Sequence, residues 1–230
     1  TTFEEGWRLT PERLERACQE DPGRPRLLVL NYPDNPTGMT YTPDELRSLA
    51  ETARRFGVLV LSDEIYGELH FQGAHVSIAR FYPEGTILSS GLSKWCGAGG
   101  WRLGTFTYPR DLAWLRQAMA AAASETYTTT SAPVQWAAVT AFEVGSEIER
   151  YLSVSRAFLS LLAEEVQQRL TRGGARVTPC QGGFYSFPDF ASRRSALAAR
   201  GITTSPELCT RLLQETGVAT LPGRDFGRSP

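Results

Sequence analysis

Two short apolar runs, Arg26-Leu-Leu-Val-Leu-Asn31 and Val58-Leu-Val-Leu-Ser62, flank a segment in which Leu46, Leu49, Ala50, Ala53 and Phe56 recur at three- and four-residue spacing. The runs are too short for helices and read as buried strands, while the spacing between them is that of a helix with one apolar face. Thr42 stands as N-cap, Pro43 at the first helical position and Glu45 at the third, a capping box, and Gly57 supplies the permissive stop. The pattern predicts a βαβ unit. Two further strands are expected at Thr86-Ile-Leu-Ser-Ser90 and Leu103-Gly-Thr-Phe-Thr-Tyr108. The second follows too closely for a helical crossover, so it is expected to run antiparallel.

From Asp111 the period becomes helical, with Leu112, Leu115 and Met119 on one stripe and an alanine-rich stretch from Ala118 to Ala123. Ser146-Glu-Ile-Glu149 reads as a second capping box. It opens a long helix with a stripe of Ile148, Leu152, Leu159, Leu162, Val166 and Leu170, closed by Arg172-Gly-Gly174. Strands are expected around Arg176 to Thr178, Phe184 to Phe187 and Val218 to Leu221, with a helix from Pro206 to Glu215. The predicted fold class is α/β, a mostly parallel sheet flanked by helices, plus a small C-terminal α+β domain. Residues 1–145 form a partial large domain, 146–172 a connecting helix and 173–230 a partial small domain. The chain starts at Thr1 and stops just after an expected strand and turn, so both ends are expected to be cut rather than finished.

Composition narrows the partners. Twenty-four basic against twenty-five acidic side chains give a formal charge of −1, which offers no broad attraction to nucleic acid or an anionic membrane. No apolar run approaches the roughly 20 residues that cross a bilayer. Cys18, Cys96, Cys180 and Cys209 form no Cys-x-x-Cys pair, and a reducing cytoplasm is the expected location. His70 and His75 have no cysteine at ligand spacing, so a surface role and no metal site are expected.

The candidate chemistry lies after the strands, where open α/β sheets bind ligands. Lys94 follows the third strand in Ser89-Ser-Gly-Leu-Ser-Lys-Trp-Cys-Gly-Ala-Gly-Gly-Trp-Arg102-Leu-Gly. A lysine is most often a solvated surface residue. Here Ser90 and Ser93 are hydroxyl donors, Gly97, Gly99 and Gly100 allow close backbone approach, and Arg102 can grip a phosphate bidentately. Asn35-Pro-Thr-Gly38 follows the first strand, and Asp63 and Tyr66 follow the second. Taken alone, Asn35 reads as a turn residue, Asp63 as a helix cap and Tyr66 as half-buried packing. Trp95 and Trp101 read as pocket lining or, for at least one, packing under the loop.

In this order, Asn35-Pro-Thr-Gly38, Ser62-Asp-Glu-Ile-Tyr66, Ser93-Lys94 and Gly-Trp-Arg102-Leu-Gly resemble the class I/II aminotransferases of fold type I, and Gly182-Gly-Phe-Tyr185 and Leu221-Pro-Gly223 match landmarks of their small domain. The resemblance implies pyridoxal 5′-phosphate as cofactor, with Lys94 as the Schiff-base lysine and proton carrier. It implies Asp63 on the pyridine nitrogen, Asn35 and Tyr66 on the phenolic oxygen, and Arg102 on the phosphate, with Ser90 or Ser93 as further phosphate donors. It also implies an amino acid and a 2-oxo acid as substrates and a homodimer as the intact form. Many relatives carry a serine three residues before the lysine, where this chain has Gly91. The family's substrate-carboxylate arginine has no counterpart on spacing in Arg224 or Arg228. Another fold type I enzyme, such as a carbon–sulfur β-lyase, would use the same anchors, and a truncated, non-catalytic chain would retain them.

Overall fold

The computed structural model describes residues 1–22 and 26–227; Arg228 lies outside them. Four strands, β1 (Leu27–Asn31), β2 (Leu59–Asp63), β3 (Thr86–Gly91) and β4 (Gly104–Thr107), form one sheet in the order β1-β2-β3-β4. β1 to β3 are parallel and β4 runs antiparallel to β3, as the short connection requires. The register sets Asn31 beside Asp63, Asp63 beside Ser89 and Gly91 beside Gly104. The residues that end the parallel strands are therefore neighbours along one sheet edge.

Helix α2 (Pro43–Arg55) covers one sheet face. Thr42 and Glu45 form both halves of the expected capping box, and Pro43 lies at the first turn. Leu46, Leu49, Ala50 and Ala53 are fully buried against Leu30, Tyr32, Val58 and Val60. A helix before the first strand, α1 (Pro11–Glu20), adds Leu14 and Cys18 to this core. The opposite sheet face is open at β1, where Leu27 and Val29 are 56% and 61% exposed. β1 is thus half-buried rather than the fully buried strand its apolar run suggested.

The expected helical region after Asp111 contains two helices, α3 (Ala113–Thr126) and α4 (Ala132–Phe142). The long helix is α5 (Ser146–Arg172), but its N-cap is Gly145, not Ser146, and no side chain caps it. Gly145 is extended and Ser146 already helical, so Ser146 cannot adopt the capping conformation. Beyond α5 none of the three expected strands forms. Arg176 and Asp189 make an isolated antiparallel bridge, and His70 bridges Gly182. An extended segment needs a neighbour for its backbone groups, and these find only single partners. The expected last helix is α7 (Ser205–Thr216), with a capping box from Thr204 and Glu207 and Gly217 in the left-handed C-cap conformation. A short α6 (Arg194–Ala198) precedes it.

Among the described residues no helix is long and apolar enough to cross a membrane, and no group of three potential metal ligands occurs. The four cysteines are free. Neither histidine takes the expected surface position. His70 is buried, and the His75 ring packs under Tyr32 while its Nε2 lies 2.8 Å from Glu64 Oε2. A buried carboxylate needs a donor there, and His75 supplies one.

Candidate active site

Three turns converge at the carboxyl ends of the parallel strands. Asn31, the last residue of β1, accepts the Asn35 backbone N–H through Oδ1 at 2.8 Å and donates from Nδ2 to the Asp63 carbonyl at 3.0 Å. This side chain latches the Asn35 turn to the end of β2. Asp34 tightens the same turn by accepting from the Thr37 amide at 3.2 Å and from the Thr37 hydroxyl.

Asp63 ends β2. Burial raises its carboxyl above the ordinary aspartate range; the Ile65 N–H at 3.4 Å works against this, and the neighbouring Glu64 charge adds to it. Tyr66, three residues on, is 4% exposed. Its hydroxyl lies 2.8 Å from the Tyr185 hydroxyl, and the neighbouring Asn35 side chain favours its ionised form. Burial, then the Tyr185 partner, push this phenol well above its usual value.

Lys94 lies in the turn after β3, between the buried side chains of Leu92 and Trp95. Ala98 N–H bonds back to the Leu92 carbonyl at 3.2 Å and closes that turn. The Lys94 amine sits 5.9 Å from the centre of the Tyr66 ring, within cation–π range, and makes no hydrogen bond or ion pair among the described residues. Trp95 packs under the loop, its ring 5.9 Å from Phe142, whereas Trp101 is 57% exposed.

Asn35, Asp63, Tyr66 and Lys94 are therefore one cluster. Arg102 is not drawn into it. Its backbone is left-handed at φ 57°, and its guanidinium donates to the Gly99 carbonyl at 2.7 Å on the exposed side of the loop. Ser90 pairs across to Thr105, and the side chains of Ser90 and Ser93 make no hydrogen bond among the described residues. Gly91 has a steric reason. A Cβ there would lie 2.6 Å from the Leu103 carbonyl oxygen and 3.0 Å from the Gly104 Cα, so a serine cannot stand at this position without opening the β3–β4 pair.

Three participants carry no strong sequence signal. Asn31 closes an apolar strand, the only local hint of its latch. Glu64 gathers Tyr32 at 3.2 Å, Ser62 at 2.9 Å, Ser77 at 2.6 Å and His75. Burial alone would raise its carboxyl, but the His75 and serine hydrogen bonds outweigh that and hold it below the usual range. Tyr185 reaches the cluster across 119 residues, with Phe184 edge-on to Tyr66 at 5.5 Å.

The model of the family "Aminotransferase class I and II" matches residues 1–230. The aspartate aminotransferase of Geobacillus stearothermophilus is 37% identical over 226 residues, which cover 96% of this chain and 54% of that protein. The asparagine–oxo-acid transaminase of Streptococcus mutans is 32% identical over 99% of this chain and 56% of its own length. Among solved structures, aspartate aminotransferase from Thermus thermophilus with maleate superposes at TM-score 0.86 with 31% identity, covering 98% of this chain and 55% of that one. The chain spans about half the length of the curated relatives it matches. A match over all 230 residues, with a sheet and strand-end cluster of this form, establishes that the chain belongs to the class I and II aminotransferases, a family of pyridoxal-phosphate-dependent enzymes.

Proposed function

We propose that this chain is the central and C-terminal part of an aminotransferase that moves an amino group from an amino acid to a 2-oxo acid, acting in the cytoplasm as a homodimer when intact. On this reading residues 1–145 are the cofactor-holding portion, 146–172 the connecting helix and 173–230 part of a small domain. The observation that carries it is the Lys94 amine over the Tyr66 ring, with Asn35 and Asp63 in the same cluster.

The residues present fit pyridoxal phosphate. An amine that makes no hydrogen bond among the described residues, a half-buried carboxylate and a neighbouring phenol and amide are the set that an aldehyde, a ring nitrogen and a ring oxygen require. When bound, the cofactor supplies the aldehyde and the electron sink. Lys94 Nζ would then carry the proton at the substrate α-carbon, on the Tyr66 side of the site where its amine stands. Asp63 holds a proton at the ring nitrogen, a task suited to a carboxyl whose burial favours sharing one. Asn35 and Tyr66 orient the ring through its oxygen. Arg102 would hold the phosphate in place of its Gly99 contact, with the hydroxyls of Ser90 and Ser93 as further donors.

The test is to mix the purified chain with pyridoxal phosphate, reduce with borohydride and map the added mass by peptide mass spectrometry. The adduct is expected at Lys94 and lost in Lys94→Ala. Lys94 is the only lysine of the chain, so a folded sample modified only at its N-terminal amine, not at all, or no more than the same chain unfolded in urea would sink the assignment.

A further inference from the structure

The Gln181–Gly183 segment is strapped to the strand ends by backbone hydrogen bonds. Gln181 N–H donates to the Gly38 carbonyl at 2.7 Å, Phe71 N–H to the Gln181 carbonyl at 2.9 Å and Gly183 N–H to the Leu69 carbonyl at 3.0 Å. Only hydrogen fits at Gly182, where a Cβ would lie 2.5 Å from the Pro33 ring and 3.0 Å from the Leu69 carbonyl oxygen. The strap thereby delivers Tyr185 to Tyr66.

A phenol has one proton to give and two lone pairs to fill. Tyr66 is faced by Asn35, Asp63, Tyr185 and Lys94. The Tyr185 hydroxyl stands 2.8 Å away and either oxygen of the pair can donate, so once the Tyr66 proton is given to another acceptor Tyr185 is the donor that fills a lone pair of Tyr66. We propose that Tyr185 is a positioning residue: when the Tyr66 proton turns to the ring oxygen of the bound cofactor, Tyr185 becomes the donor of the pair and fills a lone pair of Tyr66. With Tyr66 donating to Tyr185 the phenol is held above its usual value; with the pair reversed, the two hydroxyls form a chain in which each bond polarises the next, and Tyr185 makes Tyr66 a stronger donor to the cofactor oxygen. This rests on the cofactor reading above.

A stronger donor draws negative charge from the ring oxygen and loosens the neighbouring acidic proton of the chromophore. Losing Tyr185's hydroxyl has the opposite effect. In the cofactor-loaded chain, Tyr185→Phe is expected to move the midpoint of the visible-absorbance pH titration upward by roughly 0.3 pH units. In a Tyr66→Phe background the same change is expected to move nothing, because the chain is already broken. Phe184→Leu, which alters packing but removes no hydroxyl, is expected to leave the midpoint in place. An unmoved midpoint in Tyr185→Phe, or equal shifts with and without Tyr66, would overturn the proposal while leaving the cofactor site intact. A folded wild-type chain that takes no cofactor at Lys94 would overturn both.

Discussion

The half of the chain that builds the sheet and the half that follows it bury their apolar residues very differently. In α2, Leu46, Leu49, Ala50 and Ala53 are completely covered, as are Tyr32 and Val60 beneath them. In α3 no residue is buried, and over the 27 residues of α5 Leu152 is the buried one, while Val154, Phe158 and Leu161 are each more than 60% exposed. The later helices join the sheet half through a smaller second cluster, in which Ala138 of α4 and Leu152 of α5 pack with Leu69, Leu92, Trp95 and Leu103, and through contacts such as Arg156 on the Glu68 carbonyl. An apolar stripe thus states that a helix face needs a partner without stating that the partner belongs to the same 230 residues.

The contrast can be broken by mutation. Leu49→Ala removes a fully buried side chain from the α2 core and is expected to cost about 2–5 kcal/mol in urea unfolding. A loss below about 1 kcal/mol would mean that the sheet half does not hold the fold. Next in size, Glu64→Gln replaces the charged acceptor of four hydrogen bonds and is expected to cost about 2 kcal/mol at neutral pH. The folded carboxyl lies below the ordinary glutamate value of 4.5, so its stabilisation is complete above that pH and is lost as pH falls through the folded value. The Gln variant should lack that part of the acid transition, and an unchanged pH–stability curve would remove Glu64 from the account. Smallest is Phe158→Ser on the open face of α5, expected to change stability by less than about 0.5 kcal/mol. A loss as large as that of Leu49→Ala, growing with protein concentration, would show that another copy covers this face.

The same contrast governs what could be read from sequence. The α2 helix was legible because cap, stripe and stop are local and agree. The placement of Asn35, Asp63, Tyr66 and Lys94 is legible because each ends or follows a strand whose end the pattern marks. The α5 cap failed because Gly145 took the extended conformation one residue earlier than the serine motif implied. The C-terminal strands failed because pairing depends on a distant neighbour that a local pattern does not contain. Tyr185 was visible as a landmark without a role, since its partner lies far upstream. Arg102 lies on the loop after Lys94, as its sequence position requires, but its guanidinium donates to the Gly99 carbonyl, a contact that no local pattern announces.

The Gln181 strap also bears on the order of folding. The Tyr66–Tyr185 contact closes a loop of 119 residues, and the Arg8–Gln181 side-chain bond at 2.9 Å closes one of 173. Closing such loops costs chain entropy that local contacts never incur, and the cost is recovered only once the sheet they dock against exists. The β1–α2–β2 unit can therefore condense early, while the aromatic side of the site is completed among the last events, so a fully assembled Tyr66–Tyr185 pair certifies that nearly the whole polypeptide has already found its place.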